Sequence, residues 1–202
     1  MNREEKNIIG IQRDVYELAI KEKFRKEFNQ NTLNSQIKKG YAFIHNKLYK
    51  MQEITFDDHY SFMIPKNFQK MREEFIIRKY PQIFCPKEVY TNYYTTINIA
   101  LSNIDQEIEE QNFQLFINQI IEELRNIYRK NIMITNGFDN ISGNVVGDFD
   151  FITTGNDTNI YNHFFFIHTK KNPILLVINC PEDQQDLWRP LAYGIMSSMK
   201  EK

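Results

Sequence analysis

The sequence has few of the residues that build disulfide frameworks, cysteine metal sites or flexible linkers. Its 202 residues include two cysteines, seven glycines and six prolines. Cys85 and Cys180 lie far apart, which excludes a disulfide framework and a CxxC metal knuckle built from cysteine alone. We therefore expect one ordered fold in a reducing compartment.

The chain also lacks an excess of charge of either sign and lacks long apolar runs. With 25 basic and 26 acidic residues, it has no strong positive field of the kind that attracts nucleic acids or anionic membranes. The longest aliphatic run, Ile174 to Ile178, is far shorter than the ~20 residues of a membrane-spanning helix. The first residues, MNREEKNIIG, do not resemble an export signal. We expect a cytoplasmic protein that does not bind nucleic acid or insert into a membrane.

The first 40 residues differ in pattern from the rest of the chain. From about Ile11 to Asn29, apolar residues recur at helical spacing among many charges and predict an amphipathic helix. The next stretch, NQNTLNSQIKKG, is polar and ends on Gly40, as is typical of a connector. We therefore divide the chain into an N-terminal helix with its connector, residues 1–40, and one domain, residues 41–202.

The domain mixes strand patterns with two strong helix patterns. Helices are predicted at about Glu107 to Arg129 and after Pro181. Short links between successive strands imply antiparallel neighbours. The last two predicted strands are apolar on both faces, so both sides of the sheet must be covered. Strands are predicted at about 54–56, 60–64, 97–101, 141–151, 160–169 and 173–179, with a turn at Asp57-Asp58.

Polar side chains share one face of the strand that begins near Ile141. They predict a strand with one solvent-exposed side. Two carboxylates on such a face can hold a divalent metal for phosphoryl or nucleotidyl transfer. In nucleotidyltransferases, however, the Gly-Ser turn lies further upstream of the carboxylates than Ser142-Gly143 does. We assign the face to partner binding, with a small divalent-metal-dependent enzyme as the alternative. The residues of this candidate site are Asn144, Asp148 and Asp150.

The other candidate ligands do not form a recognisable site. His163 and His168 lie five residues apart on one predicted strand, so they point to opposite faces and cannot easily share a metal ion. Each cysteine precedes a proline, as in some haem sensors, but Cys180 follows a buried strand and is interpreted as a structural thiol. The loop at 155–159 lacks EF-hand spacing, and common nucleotide, hydrolase and zinc-protease motifs are absent. We predict no cofactor, no metal and no enzymatic activity.

Three stretches between about residues 60 and 199 resemble the PsbP-like fold family, which groups PsbP, Mog, DcrB and the Eag chaperones. They are YSFMIP, the long amphipathic helix, and NHFFFIHTKKNPILLVINCPEDQQDLWRPLAYGIMSSM. The resemblance implies an α+β fold in which an antiparallel sheet is flanked by helices on both faces, an α/β/α sandwich. The N-terminal helix would then be an extension of this fold. No site residue of the family is transferred to this sequence.

The resemblance also implies a class of function. The Eag chaperones are cytoplasmic, so it favours a chaperone or adaptor that holds a secreted effector. We predict a non-enzymatic protein-binding module whose partner is another protein. A structural homo-oligomer, such as a homodimer formed through the N-terminal helix, is a further alternative. The abundance of Asn, Ile and Lys suggests an AT-rich bacterial genome.

Overall fold

The computed structural model describes residues 29–80, 85–127, 132–141, 143–155 and 157–202. The predicted N-terminal helix lies outside the described residues except for Asn29. The helices are α1 (Gln30–Lys38), α2 (Glu73–Lys79), α3 (Glu110–Ile127) and α4 (Gln185–Ser197), and a 3-10 turn (Glu182–Gln184) precedes α4. The strands are β1 (Tyr41–Ile44), β2 (Lys47–Phe56), β3 (Tyr60–Pro65), β4 (Gln69–Lys70), β5 (Glu88–Thr91), β6 (Asn98–Asn103), β7 (Ile132–Ile141), β8 (Asn144–Thr154), β9 (Asn159–Ile167), β10 (Ile174–Pro181) and β11 (Lys200–Glu201).

Within the described residues the strands form two antiparallel sheets. The larger sheet has seven strands in the order β4-β5-β6-β10-β9-β8-β7. The smaller sheet has four strands in the order β1-β2-β3-β11. The final strand, β11, pairs with β3, so the segment after α4 returns to the small sheet. The prediction of an antiparallel α+β fold is confirmed.

Two tight turns shape the small sheet. The β1–β2 turn consists of His45 and Asn46, and both have positive φ, 47° and 57°, as a type I′ hairpin requires. The β2–β3 turn also has positive φ at Asp57 and Asp58, which Asp tolerates better than most residues. The turn predicted at Asp57-Asp58 is therefore confirmed, whereas the sequence did not predict the β1–β2 hairpin.

Both faces of the large sheet are covered, as the two-sided apolar strands predict. Helix α3 buries Phe113, Ile117 and Ile121 against one face, where they meet Phe149 and Phe166. Helix α2 packs farther along the same face. The opposite face carries α4 and the small sheet, and a single core joins all three. None of the described helices is both long and apolar enough to cross a membrane.

Helix α1 lies where the sequence predicted a polar connector. Asn29 caps it, because its side chain accepts a hydrogen bond from the backbone N–H of Thr32 at 3.1 Å. Leu33 and Ile37 are buried in the core beside α4. The division of the chain at residue 40 stays a prediction, but the helical conformation of residues 30–38 corrects the connector interpretation. Two apolar residues one turn apart are enough to dock this short helix.

Candidate functional site

The two carboxylates of the predicted partner-binding face point into the protein. Asp148 is 5% exposed and Asp150 is 0% exposed. They lie on β8 and face α4, which covers this side of the sheet. The prediction of a solvent-exposed strand side is therefore wrong. Asn144, at the start of β8, is partly exposed. The partner-binding role of the three residues stays a prediction. Of the three, only Asn144 could contact a partner without movement of α4.

Asp150 forms a buried ion pair with α4. The Nε of Arg189 donates a hydrogen bond to Asp150 Oδ2 at 2.8 Å, and the hydroxyl of Tyr161 donates to the same oxygen at 2.8 Å. Burial acts to lower the pKa of Arg189, but the Asp150 carboxylate together with Tyr161 and Tyr193 outweighs burial and raises that pKa above its usual value. A guanidinium that is charged and paired in this way ties α4 to the centre of the sheet.

Asp148 forms the second half of the same arrangement. Its Oδ2 lies 3.0 Å from His163 Nε2 and accepts a 2.6 Å hydrogen bond from the hydroxyl of Tyr193. His163 Nδ1 lies 3.2 Å from the Tyr161 oxygen, which links the two halves. Burial acts to raise the pKa of Asp148, but His163 and Tyr193 together hold it below its usual value. We call these residues the buried network: Asp148, Asp150, Tyr161, His163, Arg189 and Tyr193.

The buried network does not support the metal-enzyme alternative. Its two carboxylates are engaged by Arg189, His163 and the tyrosines, and α4 lies over them. Among the residues that the structure describes, no group of three His, Cys, Asp or Glu side chains could hold a metal ion. The network is instead a set of satisfied buried charges of the kind that holds two elements in one relative position.

The remaining candidate ligands lie apart from one another. His163 faces α4, whereas His168 Nε2 lies 2.8 Å from the carbonyl oxygen of Ile108, near α3. The prediction that the two histidines occupy opposite faces is confirmed. Cys180 is buried, and burial raises the pKa of its thiol well above the usual value, which fits the structural role predicted for it. Cys85 is an exposed free thiol.

The lowered pKa of Asp148 gives a testable pH dependence. A carboxylate whose folded-state pKa lies below its unfolded value of 3.8 contributes stability that is complete above the unfolded value and is lost as pH falls through the folded value. We expect urea unfolding below about pH 4 to show a steeper acid loss of stability in the wild type than in Asp148→Asn. The matched control is Asp139→Asn, an exposed aspartate of β7. Equal acid dependence in wild type and Asp148→Asn would contradict this assignment.

An apolar surface lies on the outer side of the β1–β2 hairpin. Phe43 is 53% exposed and Leu48 is 61% exposed. They are direct cross-strand partners, as are Tyr41 and Lys50, and in an antiparallel pair such partners lie on the same face. Alternation along each strand brings both pairs to one side. We call Tyr41, Phe43, Leu48 and Lys50 the hairpin surface.

A groove continues this surface towards α1. Its volume is about 480 Å³. The Oε1 atom of Gln36 accepts a 2.9 Å hydrogen bond from the backbone N–H of Phe43, so α1 satisfies one outward-facing donor at the edge of β1. We call this space the α1 groove, and its lining includes Asn29, Thr32, Leu33, Gln36, Phe43, Ile44, His45 and Asn46.

A second cleft, of about 370 Å³, lies on the other side of the hairpin. It is lined by Lys47 and Tyr49 of β2, by the β5–β6 turn and by the start of α4. The β5–β6 turn presents Tyr93 and Tyr94, whose rings meet edge to face at 5.1 Å. Asn92 fixes the turn, because its side-chain oxygen accepts hydrogen bonds from the N–H groups of residues 96 and 97. The exposed aromatic pair is thus held in place beside the cleft.

The sequence interpretation missed the hairpin surface. One signal was present: Ala42 and Ile44 alternate with Tyr41 and Phe43, and His45-Asn46 follows. Residues with a tolerance for positive φ after an alternating run are typical of a tight hairpin. The predicted strands start only at Ile54, so the first hairpin is absent from the prediction.

No protein-family model matches the sequence, and no curated protein matches it. Solved structures do resemble it. Cyanobacterial PsbP (CyanoP) from Synechocystis sp. PCC 6803 has 12% identity and a TM-score of 0.54, covering 79% of this chain and 96% of that one. The Ran-binding protein Mog1p of Saccharomyces cerevisiae has 13% identity and a TM-score of 0.44, covering 75% and 95%. LpqN of Mycobacterium tuberculosis, involved in cell envelope biogenesis, has 10% identity and a TM-score of 0.45, covering 75% and 91%. The similarity to CyanoP spans most of both chains, and the chain has a PsbP-like fold, as its sequence predicts.

Proposed function

We propose that this protein is a non-enzymatic binding module that holds a segment of another protein at the hairpin surface and the α1 groove. The observation that carries the proposal is the pairing of exposed Phe43 and Leu48 beside a groove. Contiguous exposed apolar side chains next to a concavity are typical of interaction sites. Because Phe43 and Leu48 are a little over half exposed, burying the rest of each side chain is worth about 1–2 kcal/mol.

The arrangement of the titratable groups is consistent with binding in preference to catalysis. Asp148 is hydrogen-bonded to His163, and Asp150 to Arg189, on the side of the sheet that α4 covers. The side chains of the hairpin surface are apolar, aromatic or basic. A cytoplasmic chaperone or adaptor that holds a secreted effector is the finer form of the proposal. The sequence resemblance to the Eag chaperones supports it, and so does a surface suited to an apolar segment.

Affinity capture from the organism that encodes the protein tests this proposal. We expect the wild-type protein to retain one or a few proteins reproducibly after cross-linking, with identification by mass spectrometry. Phe43→Ser/Leu48→Ser is expected to retain at least about tenfold less, since every 1.4 kcal/mol of lost binding energy is a factor of ten. Leu115→Ser is a matched control, because Leu115 is also 61% exposed but lies on α3.

The outcome also separates the alternatives. Equal loss with Leu115→Ser, or retention unchanged by Phe43→Ser/Leu48→Ser, would place binding elsewhere and overturn the proposal. Light scattering on the full chain decides whether the captured partner is a second copy. A mass of twice the monomer that the hairpin substitutions abolish would favour the homodimer.

A further inference from the structure

The hairpin surface lies in a segment of uniformly positive charge. Between Asn29 and Gln52 the sequence contains four lysines and neither aspartate nor glutamate. The whole chain, in contrast, has 25 basic and 26 acidic residues. The positive charge is therefore concentrated on α1 and the β1–β2 hairpin, and the remaining described surface is on balance acidic.

Three lysines of this segment are exposed, and one of them, Lys50, lies on the hairpin surface itself. Lys50 lies opposite Tyr41 on the hairpin surface, Lys47 lines the second cleft, and Lys39 follows α1. Among the described residues these three lysines form no ion pair.

Lysines elsewhere in the fold have acidic neighbours. Lys70 pairs with Glu88 at 2.8 Å, and Lys200 lies 3.6 Å from Glu53. Within the part of the chain that the structure describes, no ion pair therefore reduces the positive potential of Lys39, Lys47 and Lys50.

An apolar surface that carries Lys50 and lies in a segment without carboxylates fits one class of occupant best. We infer that the segment bound at the hairpin surface is an acidic peptide that also carries apolar side chains. Its apolar side chains contact Phe43 and Leu48 and enter the α1 groove, and its carboxylates lie near Lys50. Lys47, on the opposite face of the hairpin, adds to the positive potential from there. Charge complementarity of this kind fixes orientation and speeds association. The inference rests on the proposed function, because it specifies the partner of that same surface.

Other occupants fit less well. The chain's own residues 11–28 contain five basic and four acidic side chains, so they do not complement the lysines. A two-fold contact between copies would place this positive patch against itself. Nucleic acid would use the lysines but leave Leu48 without a suitable contact, because single-stranded bases are held by aromatic stacking.

Selection of peptides from a random phage-displayed library on the immobilised full chain tests the inference. We expect the enriched peptides to contain more Asp and Glu than Lys and Arg, together with apolar residues. For a synthetic version of the most enriched peptide, fluorescence anisotropy should give a Kd about tenfold weaker with Lys47→Glu/Lys50→Glu. Lys170→Glu, in the β9–β10 turn, is the control and should leave the Kd unchanged. The same peptide with its acids changed to lysine should bind Lys47→Glu/Lys50→Glu better than wild type, a reversal that misfolding cannot produce.

The other possible results of these experiments overturn the inference alone or the proposed function with it. Enrichment of neutral or basic peptides that still require Phe43 and Leu48 would overturn the inference and leave the proposed function intact. Peptides whose binding is unchanged in Phe43→Ser/Leu48→Ser, or no enrichment at all, would overturn both. Binding of poly(dT) or of phosphatidylserine vesicles that Lys47→Glu/Lys50→Glu abolishes, without enrichment of acidic peptides, would assign the surface to nucleic acid or to membrane instead.

Discussion

Replacing Arg189 with methionine is expected to lower the free energy of unfolding by about 3–5 kcal/mol. The substitution keeps most of the side-chain volume but removes the guanidinium that donates to Asp150 at 2.8 Å. Asp150 is then left 0% exposed without its cation, and a buried carboxylate that loses its partner is costly. Urea denaturation followed by circular dichroism at neutral pH measures the change.

A double substitution separates the penalty of an unpaired charge from the value of the pair. Asp150→Leu/Arg189→Met is expected to recover most of the stability lost in Arg189→Met, since replacing both members of a buried ion pair by apolar groups is often neutral. A loss below about 1 kcal/mol in the single variant, a size typical of exposed ion pairs, would show that water reaches Asp150. A double variant less stable than the single one would show that the pair itself contributes strongly.

The buried network matters for the proposed binding surface because of the element it holds. Helix α4 supplies Leu187 and Trp188 to the second cleft and the surface on which α1 packs. Helix α1 in turn forms one wall of the α1 groove. Asp148 and Asp150, which the sequence assigned to partner contact, therefore support the proposed contact surface from beneath.

The burial of Asp148 and Asp150 illustrates a limit of strand alternation. Period-2 alternation places both residues on one face, and that placement is correct. It does not say what covers the face, because Arg189 and Tyr193 lie about forty residues along the chain. A local signal did exist: Val146 and Ile152 lie on the same face and are buried. Two β-branched residues on the same face as two aspartates indicate a face that is covered by another element, in preference to one that is exposed to solvent.

Elements with strong local patterns were predictable, and elements that depend on distant contacts were not. Strands β9 and β10 are apolar on both sides, which requires cover on both faces whatever provides it. Helix α3 repeats its buried residues at Phe113, Ile117 and Ile121, a regular stripe. Helix α1 has only Leu33 and Ile37 to bury. Its stability comes from docking on α4, and no local window of sequence contains that information.

The docking of α1 on α4 can be tested at Gly194. Changing an interior helical glycine to alanine normally stabilises a protein by about 0.5–1 kcal/mol. At Gly194, however, an added Cβ would overlap the Cδ1 atom of Ile37, which is fully buried. We expect Gly194→Ala to lower the free energy of unfolding by about 1–3 kcal/mol, as overpacking does. Hydrogen exchange should show the largest loss of protection in α1.

Removing the overlapping atom should reverse the sign of this effect. Ile37→Val deletes Cδ1 and by itself should cost about 0.5–1.5 kcal/mol. In that background the nearest remaining atom of residue 37, Cγ1, is 3.5 Å from the added Cβ, an ordinary contact. Gly194→Ala is then expected to be neutral or stabilising, because only the helix-propensity gain remains. If Gly194→Ala destabilises the Ile37→Val protein as much as the wild type, α1 does not pack on α4 through this contact, and the wall of the α1 groove is held by other residues.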